Sequence, residues 1–270
     1  MKPHLPGARE ESLSVARPKG RFAAALLMLI AVALHCPLLD AQANRNQMTM
    51  TTPATNLVSE CSQNSTEVLA ARVKTPLDAH GLPDAGAWQD ASAVAFCWDW
   101  QGENADPVRE TEVRVAWTPE FLFLRYRAKY REIYVYPQTN SRVNKLWDRD
   151  VAEVFLQPDG NEPRHYKEFE ISPNGNWIDL DIAPGKFVHL TCALRTRVTI
   201  DTAAQTWVAE LGIPMECLTS EFDAKKSWRL NLFRIEGPEP NRFYSAWRPT
   251  KTPKPNFHVP EAFGVLRFAE

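Results

Sequence analysis

From residue 111 to residue 268 the sequence consists mainly of short segments in which apolar and polar residues alternate, separated by turn-forming residues. Val113, Val115 and Trp117 share one face of the first segment, and Asn174-Gly175 makes a turn between two later ones. The predicted strands cover residues 111–117, 120–130, 166–172, 177–182, 194–200, 206–213, 228–235 and 265–268. A period of two residues is typical of half-buried strands. The pattern predicts an all-β fold, a two-sheet antiparallel β-sandwich of jelly-roll-like form.

One short helix is predicted at residues 215–218, directly after Pro214, since proline suits the first turn of a helix. The sequence contains no internal repeat and no glycine-rich phosphate loop. The net charge is −2 and the charges are mixed along the chain. This balance offers no basic surface for nucleic acid, so nucleic acid is not expected as a partner.

The N-terminus has the three parts of an export signal. Arg17, Lys19 and Arg21 make a basic region, residues 22–34 form an apolar run without a charge, and Ala41-Gln42-Ala43 is a small-x-small cleavage pattern. The apolar run is shorter than the roughly 20 residues that a spanning helix needs. We therefore predict a signal peptide over residues 1–43, a mature start near Asn44, a secreted or periplasmic protein and no stable membrane insertion.

Residues 44–72 are rich in polar residues near their start and lack a convincing period, which predicts a linker or disordered arm. The β-sandwich domain is predicted over residues 73–270. Cleavage of the signal would remove Cys36 and leave Cys61, Cys97, Cys192 and Cys217. In an exported chain these thiols can form disulfides, and we expect at least one. The pairing stays open, and buried free thiols are the alternative.

Trp147 directly precedes a strand-like segment that contains Asp150 and Glu153. A carboxylate in such a segment must face water or find partners, because unpaired burial is costly. An aromatic ring beside carboxylates suits a sugar: the ring stacks on the C–H face, and the carboxylates accept hydroxyl hydrogen bonds. The alternative is a core tryptophan with surface acids. In that case Asp150 would pair with Arg149 or Arg234 or orient a backbone turn.

A second turn, after residue 157, collects Asp159, Asn161 and Glu162, whose oxygens are of the type that binds calcium. Polar turns are frequent without any ion. No metal site and no cofactor is therefore assigned, and calcium stays an unassigned alternative.

The order of these features resembles carbohydrate-binding modules of family 9, over roughly residues 73–270. The matching pieces, by residue range, are the Asp-Ala-Gly-Ala-Trp of 84–88, Phe-Leu-Phe-Leu-Arg-Tyr of 121–126, Trp-Asp-Arg-Asp-Val-Ala-Glu-Val-Phe of 147–155, Tyr-Lys-Glu-Phe-Glu-Ile of 166–171, Trp-Val-Ala-Glu-Leu-Gly-Ile-Pro of 207–214, Trp-Arg-Leu-Asn-Leu-Phe-Arg of 228–234, Tyr-Ser-Ala-Trp-Arg-Pro-Thr of 244–250 and Pro-Glu-Ala-Phe-Gly of 260–264. The resemblance implies a β-sandwich that binds sugars without catalysis, often at a polysaccharide chain end, and that usually accompanies glycoside hydrolases.

The resemblance also implies an aromatic clamp for the sugar ring. Trp147 matches the first clamp tryptophan, and Glu153 matches a hydroxyl-binding glutamate. Phe257, three residues before Pro260, stands where the family has a second tryptophan, in a proline-rich loop that we interpret as a poor core position. Glu170 falls near a family arginine, so an acceptor replaces a donor. The predicted carbohydrate-binding residues are Trp147, Glu153, Phe257, Asp150 and Glu170.

Two other classes stay open as alternatives. A glycoside hydrolase would need two carboxyls across a cleft, and a haem-binding sandwich of the DOMON type would need axial His or Met ligands. The sequence offers Asp150, Glu153, Glu170 and Asp179 for the first, and Met215, His165, His189 and His258 for the second.

Four further tryptophans are candidates for stacking on a sugar, but they are expected in the core: Trp88, Trp207, Trp228 and Trp247. The prediction is therefore an exported, non-catalytic carbohydrate-binding protein that acts alone or beside a separate glycoside hydrolase.

Overall fold

The computed structural model describes residues 65–270, so the predicted signal peptide and most of the predicted arm lie outside the described residues. The strands are β1 (Glu67–Arg72), β2 (Ala93–Phe96), β3 (Thr111–Trp117), β4 (Phe121–Lys129), β5 (Val151–Gln157), β6 (Tyr166–Ile171), β7 (Trp177–Ala183), β8 (Lys186–His189), β9 (Arg195–Asp201), β10 (Thr206–Pro214), β11 (Trp228–Glu236), β12 (Phe243–Ala246) and β13 (Gly264–Phe268). The helices are α1 (Ala85–Asp90) and α2 (Met215–Leu218). Within these residues no helix is long and apolar enough to cross a membrane.

The predicted all-β class is confirmed, but the strands do not separate into two antiparallel sheets. Hydrogen-bonded neighbours follow one another in the order β8-β7-β6-β5-β11-β13-β1-β3-β4-β10-β9, with β12 beside β11 and β2 beside β3. The connection is β1, which pairs in parallel with both β13 and β3. Residues 65–270 therefore form one curled sheet with the parallel strand β1 near its middle, where a sandwich of separate antiparallel sheets was predicted.

The curl brings the two halves of the sheet face to face around the main apolar core. Val154 and Leu232, from β5 and β11, cluster with Leu124 and Trp207, from β4 and β10. The four tryptophans that we predicted to be structural are all buried: Trp88, Trp207, Trp228 and Trp247. Burial of this apolar surface is the main stabilising contribution to the fold.

Strand β1 corrects the predicted boundary of the domain, because it lies inside the stretch 44–72 that was interpreted as a linker or arm. Val68 and Ala70 are buried, whereas Leu69 between them is 48% exposed. This alternation is short and depends partly on alanine, so its apolar period is weak in the sequence. The folded domain thus begins before residue 73.

The predicted helix at residues 215–218 is confirmed as α2, and one helix was missed. Asp84 caps α1 by accepting a hydrogen bond from the backbone N–H of Ala87 at 2.8 Å. The helix spans only six residues and contains Gly86, so propensity alone does not reveal it. It buries Trp88 against the outer side of β3 and β4, where Ala116 and Phe123 lie.

The expected disulfide is present between Cys192 and Cys217, whose Cα atoms lie 5.9 Å apart. The bond joins the segment before β9 to α2, across 25 residues of sequence. Cys61 lies outside the described residues, so its pairing stays open.

Candidate functional site

A pocket of about 510 Å³ opens on the face of β5, β6, β7 and β11 that points away from the main core. Side chains alternate across a strand, so Val154 enters the core while its neighbours Glu153 and Phe155 face the pocket. The β7–β8 hairpin and the loop before residue 260 form the walls. The lining residues are Trp147, Glu153, Phe155, Glu168, Leu180, Ile182, Ala183, Gly185, Lys186, Phe187, Ile235, Tyr244, Pro255, Asn256, Phe257 and His258.

Three glutamates meet at the base of this pocket. Glu153 on β5 lies opposite Glu170 on β6, and Glu168 lies two residues before Glu170 on the same face of β6. One carboxylate oxygen from each can be chosen so that all lie within 4.8 Å of one another. The antiparallel register therefore brings Glu153 next to two glutamates that lie 15 and 17 positions further along the sequence.

The three carboxyls are buried, with exposed fractions of 2% for Glu153, 3% for Glu168 and 0% for Glu170. With all three carboxyls ionised, Oε1 of Glu153, Oε2 of Glu168 and both oxygens of Glu170 have no hydrogen-bond donor, and Glu168 and Glu170 can hydrogen-bond to each other only by sharing a proton. Burial raises the pKa of all three carboxyls, and the neighbouring negative charges raise the pKa of Glu153 and Glu170 further. The cluster thus needs a positive charge, shared protons or a ligand with donors.

Trp147 lies in a single 3-10 turn, Leu146–Asp148, at the rim of the pocket. Arg242 binds this turn from the far side. Its guanidinium donates to the backbone carbonyls of Trp147, Asp148 and Arg149, the last two at 2.9 and 3.0 Å. The indole is half-buried and packs against the cluster around Phe155. A ring whose backbone is bound at several points can act as a preorganised stacking surface.

Phe257 lines the pocket, but the interpretation of its loop position as a poor core site is wrong. It is 7% exposed and stacks on Phe233, with ring centroids 4.2 Å apart. Tyr244 meets it edge-on at 6.2 Å. The contact with Phe233 on β11 buries Phe257, although the proline-rich sequence around Phe257 had indicated an exposed position.

Asp150 takes the alternative role considered for it, orienting backbone turns. Its two oxygens accept hydrogen bonds from the backbone N–H groups of Tyr134 at 2.9 Å and Gly237 at 2.7 Å. It is fully buried and does not line the pocket. Burial raises the pKa of Asp150 to about 6, even though both hydrogen bonds and nearby Arg234 lower it.

Several lining residues were not predicted as site residues. Glu168 alternates with Phe169 in the sequence, but only the strand register reveals that it joins Glu153. Phe187 is 62% exposed on the β7–β8 hairpin, and its signal in the sequence was a phenylalanine shortly after the turn-forming Pro-Gly of residues 184–185. His258 donates to or accepts from the Tyr166 hydroxyl at 2.8 Å and lies 4.0 Å from Glu168.

The turn considered for calcium does not gather its oxygens around one point. Asp159 accepts the backbone N–H of Asn161 at 2.8 Å, which is an ordinary turn contact, and Glu162 binds His165. Among residues 65–270 the group of acidic side chains close enough to share an ion is the one formed by Glu153, Glu168 and Glu170.

The chain is an all-β domain whose pocket has an aromatic rim and buried carboxylates. Such a pocket is typical of β-domains that bind a small ligand. A family model carries the classification further: the model for carbohydrate-binding family 9 matches residues 88–268. The chain belongs to carbohydrate-binding family 9.

The chain is also similar to several individual proteins. A protein of Arthroderma benhamiae named "Extracellular protein" is 27% identical over 180 residues, which are 60% of this chain and 80% of that protein. A candidate carbohydrate-binding protein from Bacteroides uniformis aligns with a TM-score of 0.59 at 18% identity, covering 75% of this chain and 99% of the other. A family 9 module from Caldicellulosiruptor kristjanssonii in complex with glucose aligns with a TM-score of 0.53 at 13% identity, covering 75% and 95%. At these identities the solved structures show the fold alone.

Proposed function

We propose that this protein binds carbohydrate without catalysis, with a pyranose ring in the pocket beside Trp147. The observation that carries the proposal is the meeting of Trp147 and Glu153 in one pocket of a family 9 chain. Residues that the resemblance implies as sugar contacts thus lie together, although they were chosen from sequence positions alone. The Caldicellulosiruptor module, which was solved with glucose and with cellotriose, supports a glucose-type ligand.

The chemistry of the lining suits a sugar. The indole of Trp147 can stack on the C–H face of the ring, contributing about 1 kcal/mol beyond the buried area. Glu153 and Glu168 can exchange hydrogen bonds with the ring hydroxyls, each contributing about 1.5–3 kcal/mol when charged. Association costs offset much of this gain, so we expect a Kd between about 1 μM and 1 mM.

Phe257 and Phe187 are the two candidates for the ring that contacts the sugar together with Trp147. Phe257 is already stacked on Phe233 and offers the pocket only its remaining edge or face. Phe187 is exposed on the hairpin at the mouth of the same pocket. We therefore infer that Phe187 supplies the second aromatic contact to the sugar, while Phe257 shapes the wall of the pocket.

The arrangement favours binding over hydrolysis. A glycosidase places its two carboxyls on opposite sides of the scissile bond, whereas Glu153, Glu168 and Glu170 lie side by side on one face of the sheet. The haem alternative gains no support either, since Met215 packs into the main core and only His258 of the proposed ligands lines the pocket.

Export and association with a separate glycoside hydrolase belong to the same proposal. The signal-like residues 1–43 and the name of the Arthroderma relative support export. Peptide mass mapping of the mature protein should find an N-terminus near Asn44, and recovery of an intact Met1 in the mature form would contradict it.

The binding proposal is tested by calorimetric titration of the mature protein with a panel of mono- and oligosaccharides. Trp147→Ala should abolish detectable binding and shift Tm by no more than about 4 °C, because the indole is half-buried. Trp177→Ala is the matched control: Trp177 is also half-buried, on β7, but does not line the pocket. Normal binding by Trp147→Ala, or equal loss in both variants, would reject the site.

A further inference from the structure

The base of the pocket combines three features that rarely occur together without a ligand. Glu153, Glu168 and Glu170 converge, each is nine-tenths or more buried, and four of their oxygens have no hydrogen-bond donor when the carboxyls are ionised. Unpartnered buried carboxylates are costly, and native structures usually satisfy them. Glu170 is the extreme case, because both of its oxygens then lack a donor and it is 0% exposed.

The basic side chains near the cluster, Arg242 and His258, donate no hydrogen bond to its carboxylates, and they lower the pKa of Glu153 and Glu168 less than burial raises it. His258 approaches Glu168 only to 4.0 Å, and its Nδ1 is engaged with the Tyr166 hydroxyl. The guanidinium of Arg242 donates to backbone carbonyls at the Trp147 turn instead of to a carboxylate of the cluster. Up to three negative charges therefore lie close together, on two carboxyls that line the pocket, Glu153 and Glu168, and on the fully buried Glu170.

We propose that Glu153, Glu168 and Glu170 form a binding site for a divalent cation at the base of the pocket, and that this cation is calcium. Hard cations of this kind take carboxylate oxygens as ligands. A calcium–oxygen distance of about 2.4 Å places two ligands on opposite sides of the ion roughly 4.8 Å apart. The ligand oxygens here all lie within 4.8 Å of one another, which fits one shared ion.

Three protein ligands leave coordination positions free, since calcium takes about 6–8 oxygens. Glu153 and Glu168 line the pocket, so these positions face the space beside Trp147. Vicinal hydroxyls of a sugar ring would complete the coordination. This second part of the inference rests on the proposed function, whereas cation binding itself does not.

The experiment uses the mature protein freed of metal by chelator. Calcium chloride is titrated by calorimetry, terbium luminescence is excited through tryptophan, and thermal melts are recorded with calcium and with chelator. We expect calcium to raise Tm and to displace terbium. Glu170→Gln and Glu168→Gln should each weaken calcium binding by on the order of tenfold or more, because affinity follows the number of charged ligands.

Glu162→Gln is the matched control, since it removes an exposed carboxylate from the other candidate calcium turn. It should bind calcium as the parent protein does. Thermal melts of all variants in chelator verify that they fold. If one of Glu170→Gln and Glu168→Gln does not fold, the other still tests the site.

Absence of calcium binding up to millimolar concentration in the parent protein would overturn the proposal, and the carboxyls would then share protons. Loss of binding in Glu162→Gln alone would move the ion to the turn and equally overturn it. Binding of glucosamine but not of calcium would assign the cluster to the ammonium group of an amino sugar. Sugar titrations with and without calcium separate the two proposals: sugar binding without cation binding rejects only the cation site, and the reverse rejects only sugar recognition.

Discussion

The rings of Phe257 and Phe233 lie nearly parallel, with centroids 4.2 Å apart and 12° between their planes. This contact joins the loop before residue 260 to the central strand β11. Phe257→Ala should therefore destabilise the protein by about 3–5 kcal/mol, the usual cost of truncating a buried phenylalanine. Urea unfolding of the variant and its parent measures the difference.

Phe187→Ala is the companion to that measurement, because Phe187 lines the same pocket but is 62% exposed. Its free energy of unfolding should change by less than about 0.5 kcal/mol, as for most surface positions, while its sugar affinity falls. If instead Phe257→Ala were stable and Phe187→Ala unfolded, the assignment of the two rings would be reversed.

The buried carboxyl of Asp150 predicts a dependence of stability on pH. Burial raises its pKa from 3.8 to about 6, with Arg234 and Glu236 as the charged groups that face it. The folded protein therefore binds this proton more tightly than the unfolded chain does. The stabilisation that protonated Asp150 contributes to the folded state is fully present below about pH 3.8 and is lost as the pH rises through about 6. Ionisation of Asp150 should cost on the order of 3 kcal/mol.

The measurement is the free energy of unfolding between pH 4 and 8 in chelator. The pocket glutamates add a slope of the same sign, so the comparison with Asp150→Asn isolates this residue. The variant will be less stable at acidic pH, because an amide cannot accept both backbone hydrogen bonds, but its curve should be flatter. Parallel curves for the two proteins would remove Asp150 from the explanation.

The Cys192–Cys217 disulfide should contribute to stability through the unfolded state. A cross-link across 25 residues restricts the unfolded chain and stabilises the fold by about 3 kcal/mol. The double variant Cys192→Ala/Cys217→Ala should lose about that amount in urea unfolding without a change in sugar affinity, since neither residue lines the pocket. An unchanged midpoint would show that α2 and β9 are held by packing alone.

Arg234 and Glu236 form a fully buried ion pair at 2.9 Å, and the guanidinium also stacks over Trp207 at 5.2 Å. Arg234→Met should destabilise the protein by about 3 kcal/mol or more, because the buried carboxylate of Glu236 then has, among residues 65–270, only Arg109 as an ion-pair partner, 3.5 Å away. The double variant Arg234→Met/Glu236→Gln should recover part of the loss. A double variant whose loss equals the sum of the single losses would show that the pair is not coupled.

The strands with a clear period were predictable from sequence. The predicted segment 111–117 coincides with β3, and those at 166–172 and 177–182 differ from β6 and β7 by one residue. Very short strands were not predicted from the sequence. Strands β8 and β12 span four residues each, which is too few to establish an alternation. The parallel pairing of β1 is a long-range property that no local pattern contains.

The candidate site divides in the same way. Trp147 and Glu153 are close in sequence, so their juxtaposition could be predicted from the local pattern and the resemblance. Glu168 joins them only through the register of β5 and β6. Phe257 was misplaced because its exposure depends on Phe233, a residue on another element. Local chemistry thus indicated which residue types matter, while strand pairing determined which of them meet.

Strand β1 has a consequence for synthesis. It is the first described strand, and its two neighbours are β3, made soon after it, and β13, made last. While the ribosome adds the intervening residues, one edge of β1 keeps unpaired N–H and C=O groups that can pair with another nascent chain. A polypeptide released before Gly264–Phe268 would keep that edge open, and we expect it to self-associate instead of remaining a soluble, partly folded monomer.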